Sequence, residues 1–145
     1  MSKQELLLAV LSSSKGSLFS PVQIQKLLFL IDRRIGRDIG GPFFNFEPYK
    51  FGPFDKGIYD TLDSLVAGKL IAEVASEESK WKLYKPTVTG QARGEKVLSE
   101  FARKPKLEVC ELSKYVMKMS FHDLVSAIYR EFPDMQERSI FRAYR

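Results

Sequence analysis

Five short polar side chains, Ser2, Ser20, Asp55, Thr89 and Ser120, each stand just before an apolar stripe at helical spacing. A Ser, Thr or Asp in that place accepts a hydrogen bond from an amide the first helical turn leaves unpaired. Glu5, Gln23 and Asp123 follow three residues after Ser2, Ser20 and Ser120, which completes a capping pair each time. These starts, with the Gly and Pro breaks between them, divide the chain into a series of short helices.

The spacing predicts a first helix over residues 2–13. A second starts at Ser20-Pro21 and buries Ile24, Leu27, Leu28, Ile31 and Ile35. Asp55 caps a third, with Ile58, Tyr59, Leu62, Leu65 and Val66 inward and Gly68 at a left-handed end. Thr89 caps a fourth, with Ala92, Val97, Leu98 and Phe101 inward. Beyond the linker Arg103-Lys104-Pro105-Lys106, a fifth covers 107–119 with Val109, Leu112, Val116 and Met119 inward. A sixth from Ser120 carries Phe121, Leu124, Val125, Ile128 and Phe132, and Pro133 ends it. Ser139-Ile140-Phe141 reads as a last short turn.

Two segments are not helical. Residues 43–54, FFNFEPYKFGPF, are half aromatic and are punctuated by Pro48 and Gly52-Pro53. Phe44 and Phe46 alternate there like a short strand. Residues 70–74 and 81–84 read as two strands joined by a polar turn. Helix, helix, short strand, helix, hairpin, helix is the order of a winged helix, whose third helix can enter a DNA major groove. The expected fold is therefore mainly α (α+β). A winged-helix-like part over residues 1–105, with a small hairpin wing, precedes a helical extension over 106–145 packed on it as one structural domain.

At 145 residues, 44% hydrophobic and 28% charged, the chain can bury a core unaided and is not of disordered composition. No apolar run approaches the roughly 20 residues of a membrane span, and MSKQELLLAVLSSS is a poor secretory signal. One cysteine excludes a disulfide framework and a multi-thiolate metal site, and one histidine excludes a two-histidine metal site. The reading is a cytoplasmic domain that needs no metal or cofactor. The net charge of +5 permits nucleic acid as a partner without demanding it.

Gln25-Lys26-Leu27-Leu28-Phe29-Leu30, then Phe46 to Tyr49, then Phe51-Gly52-Pro53-Phe54 with Tyr59 and Leu62, then Gly68-Lys69-Leu70-Ile71, form a recurring combination. With Ile128-Tyr129-Arg130-Glu131-Phe132-Pro133 and Ser139, it resembles the YwgA-like small prokaryotic proteins. It is more distantly similar to the Panacea (SocA-type) antitoxin domain. Phe51 stands where many relatives have Tyr. The resemblance implies a non-enzymatic module that neutralises or regulates a partner by contact, of the antitoxin or phage-defence and mobile-element accessory kind. It implies no catalytic residue.

The outward face of the third helix carries Lys56, Asp60, Asp63 and Ser64. Two Asp with no Arg suit a docking face for a protein partner, a toxin or defence effector, better than a groove lined with phosphates. The competing reading is a DNA-binding transcriptional regulator. It would use Lys80, Lys82 and Lys85 on the wing, and Arg33, Arg34 and Arg37 at the end of the second helix. Cations there also favour the helix C-terminus electrostatically. A third reading is an enzyme with a site assembled from distant acids and tyrosines. The phosphate-loop, dinucleotide, zincin and serine-hydrolase motifs are missing. His122 reads as exposed, Cys110 as unreactive between Glu108 and Glu111, and Tyr59, Tyr115 and Tyr129 as core-edge side chains with hydroxyls in water. The apolar stripes of the extension leave a homodimer open.

Overall fold

The computed structural model describes residues 1–78 and 80–140. Among the described residues, six α-helices and two small antiparallel hairpins form a mainly α fold of α+β type. Helix α1 spans Lys3–Ser12 and α2 spans Pro21–Ile35, followed by a 3-10 turn at Gly36–Ile39. Strands β1 (Glu47–Tyr49) and β2 (Gly52–Phe54) pair, then α3 runs over Lys56–Ala67. The second hairpin is β3 (Ile71–Val74) with β4 (Leu83–Pro86). Helices α4 (Val88–Ser99), α5 (Arg103–Lys118) and α6 (Phe121–Glu131) complete the chain, with a 3-10 turn at Pro133–Gln136.

Two of the three expected capping pairs close in both directions, those of α1 and α2, while at α6 the Ser120 hydroxyl accepts from Asp123 N without the return bond. The Ser2 hydroxyl accepts from Glu5 N, and Ser20 from Gln23 N, and each partner side chain accepts from the cap amide in return. Asp55 caps α3 and Ser120 caps α6. Residue Phe19 bridges Tyr84 through two main-chain hydrogen bonds of 2.9 and 2.8 Å, so the β3–β4 hairpin gains a one-residue third strand. That is the winged-helix order, with one departure. Residues 36–55, which include the β1–β2 hairpin, separate α2 from α3, where a helix-turn-helix has a turn of three or four residues.

Several expectations are corrected. Phe44 and Phe46 form no strand; their rings pack on the core while Glu47–Tyr49 pairs with Gly52–Phe54. Residue Gly68 has φ of −80°, and Lys69 takes the left-handed position at φ of 60°. Thr87, not Thr89, caps α4: its hydroxyl accepts from Gly90 N and donates to Lys69 O. The buried positions of α4 are Gly90, Gly94 and Leu98, and Ala92 is exposed. Arg103 to Lys106 is the first turn of α5 rather than a linker; Pro105 fits because first-turn amides have no helical acceptor. The helical extension thus begins at Arg103. Phe121 is exposed, and Trp81 lies in the β3–β4 connection, outside the strand expected to hold it. Ser139 and Ile140 form no helix, and Phe141 lies outside the described residues.

One apolar cluster runs through the whole chain. It joins Leu6, Leu7 and Leu11 of α1, Phe29 and Ile31 of α2, Ile58 and Leu62 of α3, Val109 and Val116 of α5, and Val125 and Ile128 of α6. From the stripes of the extension, Val109, Leu112 and Val116 of α5 and Leu124, Val125 and Ile128 of α6 lie in this core. Helix α1 is buried on every side from Leu6 to Ser12 because α4 lies close across it. Gly94 permits that approach, since a Cβ there would strike Ser12 Oγ and Leu8 O, while one at Gly90 would strike the main chain of Leu70.

Candidate functional site

The outer residues of α3 lie where their spacing puts them. Lys56, Asp60, Asp63 and Ser64 are exposed, and Asp63 sits close enough to the second hairpin to act electrostatically on Lys82. Lys80 and Lys85 are exposed too. Lys82 pairs with Glu73 at 3.0 Å, and that hydrogen bond raises its ammonium pKa.

The arginine cluster is divided. Arg33 lies over the rings of Phe29 and Phe132, 5.0 and 5.4 Å from their centres, and reaches Asp134 at 3.5 Å. Arg34 donates to both oxygens of Glu131 at 3.1 and 2.9 Å and approaches Glu108 at 3.8 Å. Both side chains fasten α5, α6 and the turn beyond onto α2. All three arginines line an open hollow of about 520 Å³, beside Asp32, Asp38 and Asn45.

The prominent surface feature was not foreseen. A groove of about 540 Å³ lies between α2, α3, the second hairpin and the start of α6, walled by Val22, Phe51, Tyr59, Trp81, Met119 and Phe121. Trp81 is 64% exposed, and Phe51 and Phe121 are each 42% exposed. The last two rings meet edge to face at 5.6 Å, which joins the β1–β2 turn to the start of α6. Helical periodicity placed Phe121 in the core, and nothing local marked Trp81 as exposed. Five segments of the chain build the groove, so no single motif could reveal it.

Behind the groove lies a buried polar anchor. Gln25 holds the start of α3 by two hydrogen bonds: its Nε2 donates to Asp55 O at 2.9 Å, and its Oε1 accepts from Asp55 N at 3.0 Å. Lys26 is only 4% exposed and donates to Pro53 O at 3.1 Å. It forms no ion pair among the described residues. Burial without a counter-charge pushes its amine down to about 8. With Val22, Tyr49, Gly52, Phe54 and Tyr59 it lines a cavity of about 160 Å³. Burial likewise raises the Tyr59 phenol.

The tail closes on the same hairpin. Tyr129 is buried and donates to Ser139 Oγ at 2.6 Å, and Ile140 N donates to Lys50 O at 3.0 Å. This corrects the expectation of a water-exposed Tyr129 hydroxyl. The segments that carry the sequence resemblance, around Gln25, Gly52, Tyr129 and Ser139, therefore meet at one place. His122 is half-buried rather than exposed.

Among the described residues, no group of three or more His, Cys, Asp or Glu side chains could hold a metal ion. No described helix is long and apolar enough to cross a membrane. The chain matches no family model and no curated protein.

Proposed function

We propose that this chain is a non-enzymatic regulatory module of the prokaryotic cytoplasm that works by protein–protein contact. Its contact face is the aromatic groove together with the bordering residues Lys56, Asp60, Asp63 and Ser64 of α3. The observation that carries the reading is Trp81, 64% exposed beside the exposed rings of Phe51 and Phe121. Aromatic side chains are enriched in protein interfaces, and tryptophan among the residues that dominate their energy. A rim with Asp60 and Asp63 favours a partner with basic side chains. The sequence resemblance supports a toxin or defence effector as that partner. Affinity capture from the native host tests the reading with wild type and the Asp60→Lys/Asp63→Lys variant side by side. A protein retained by wild type and lost by the folded variant is the expected result. Equal retention of every captured protein by both overturns the assignment of the face.

The element order favours a second reading, a DNA-binding winged-helix regulator. Its usable cations are Lys80 and Lys85 on the hairpin and Arg37, since Arg33, Arg34 and Lys82 are engaged within the chain. Duplex DNA anisotropy at two salt concentrations separates the two readings.

A further inference from the structure

A buried ammonium is stable when its charge and its three N–H donors are met. Lys26 gives one donor to Pro53 O and pairs with no carboxylate among the described residues. The cavity it lines, of about 160 Å³, shares Val22, Phe51 and Tyr59 with the groove of about 540 Å³. The two therefore lie side by side across a common wall. Gly52 keeps space beside the amine: a Cβ there would lie 3.5 Å from Lys26 Cε and 3.7 Å from Nζ. Its φ of 99° also excludes most other residues.

We propose that this cavity binds small apolar carboxylates, with the carboxylate on the Lys26 amine and the hydrocarbon tail along the groove between Phe51, Tyr59 and Trp81. A carboxylate supplies the counter-charge that Lys26 lacks, and a charge-assisted hydrogen bond is stronger than one to a neutral acceptor. A phosphate dianion fits less well, because the cavity offers one cation and mostly apolar walls. The rings of the groove require the rest of the ligand to be apolar. This binding does not depend on the protein-contact reading.

Equilibrium dialysis of the whole chain against labelled octanoate and labelled octanol tests it. Octanoate is expected to bind at least tenfold more tightly than octanol. Lys26→Met keeps the apolar stem and removes the amine. It should weaken octanoate at least tenfold and leave octanol unchanged. Val22→Phe fills the shared wall while keeping the amine, and should weaken octanoate at least tenfold as well. It keeps the test intact if Lys26→Met does not fold by circular dichroism. Equal affinity for octanoate and octanol, or unchanged octanoate binding by either folded variant, overturns the proposal.

Discussion

The ammonium of Lys26 on α2 donates to the main-chain carbonyl of Pro53 at 3.1 Å, and this pairing ties the first hairpin to the second helix from inside the protein. Beside it Gln25 holds both main-chain groups of Asp55, so adjacent residues of one helix set the path from β2 into α3. The position of α3 against the groove thus depends on two polar side chains buried in an apolar helix.

Lys26 makes stability depend on pH. Its folded-state value is about 8, against 10.5 for a free lysine. Below pH 8 the lysine is charged in both states, and the native state bears the full desolvation cost. Between pH 8 and 10.5 the unfolded chain binds more protons, so stability rises with pH through that window. Burial also raises Tyr59, Tyr84 and Tyr129, which opposes the rise only above the ordinary tyrosine range. Urea unfolding at pH 7 and about 9.5 should show wild type gaining about 2 kcal/mol relative to Lys26→Met. Parallel curves for the two proteins would remove Lys26 as the cause.

Gly94 lies in the middle of α4, where alanine ordinarily favours a helix by about 1 kcal/mol. Here the added methyl would meet Leu8 O and Ser12 Oγ of α1. A backbone carbonyl cannot turn aside, so the two helices must separate. Gly94→Ala should therefore destabilise the protein by about 1–3 kcal/mol. A melting temperature equal to or above that of wild type would show that the contact between α1 and α4 is looser than drawn.

The aromatic residues fall into two energetic classes. Phe29 is fully buried and meets Phe46 and Phe132 edge to face at 5.3 and 5.0 Å. Phe29→Ala should cost about 3–5 kcal/mol. Trp81→Ala, at a side chain 64% exposed, should change stability by less than about 1 kcal/mol. Denaturant melts of the two variants measure the contrast. A large loss for Trp81→Ala would make the ring a structural element rather than part of a contact face.

Local chemistry was legible in the sequence, and assembly was less so. The Ser2, Ser20, Asp55 and Ser120 caps form because each needs only its own first turn. Thr87 displaces Thr89 because its hydroxyl also reaches Lys69 O across the chain, a gain no local pattern encodes. The β1–β2 hairpin was hidden because Gly52-Pro53 reads as a break, while in the fold Gly52 is the left-handed residue that lets a strand begin. Arg33 and Arg34 looked like a basic patch until α6 and the following turn brought Glu131 and Asp134 beside them. Apolar periodicity predicts burial, so the exposure of Phe121, and with it the groove, ran against the rule that found the core.

The same arginine pairing sets the expected response to DNA. Arg33, Arg34 and Lys82 are paired within the chain, and Asp60 and Asp63 face outward on α3. On the β3–β4 hairpin that leaves Lys80 and Lys85 for phosphates. Affinity falls with salt at a log–log slope of about −0.9 per phosphate neutralised. Two contacts or fewer correspond to about a tenfold loss between roughly 50 and 200 mM salt. Fluorescence anisotropy with a mixed-sequence duplex should show wild type binding weakly and losing about tenfold or less. Asp60→Lys/Asp63→Lys adds two cations on the exposed face of α3 and should lose about a hundredfold over the same interval, from a higher starting affinity. A wild-type loss of about a thousandfold would mean several phosphate contacts and would promote the regulator reading. In that event Lys80→Glu, Lys82→Glu and Lys85→Glu together should flatten the slope if the hairpin carries the contacts, and an unchanged slope would place them elsewhere.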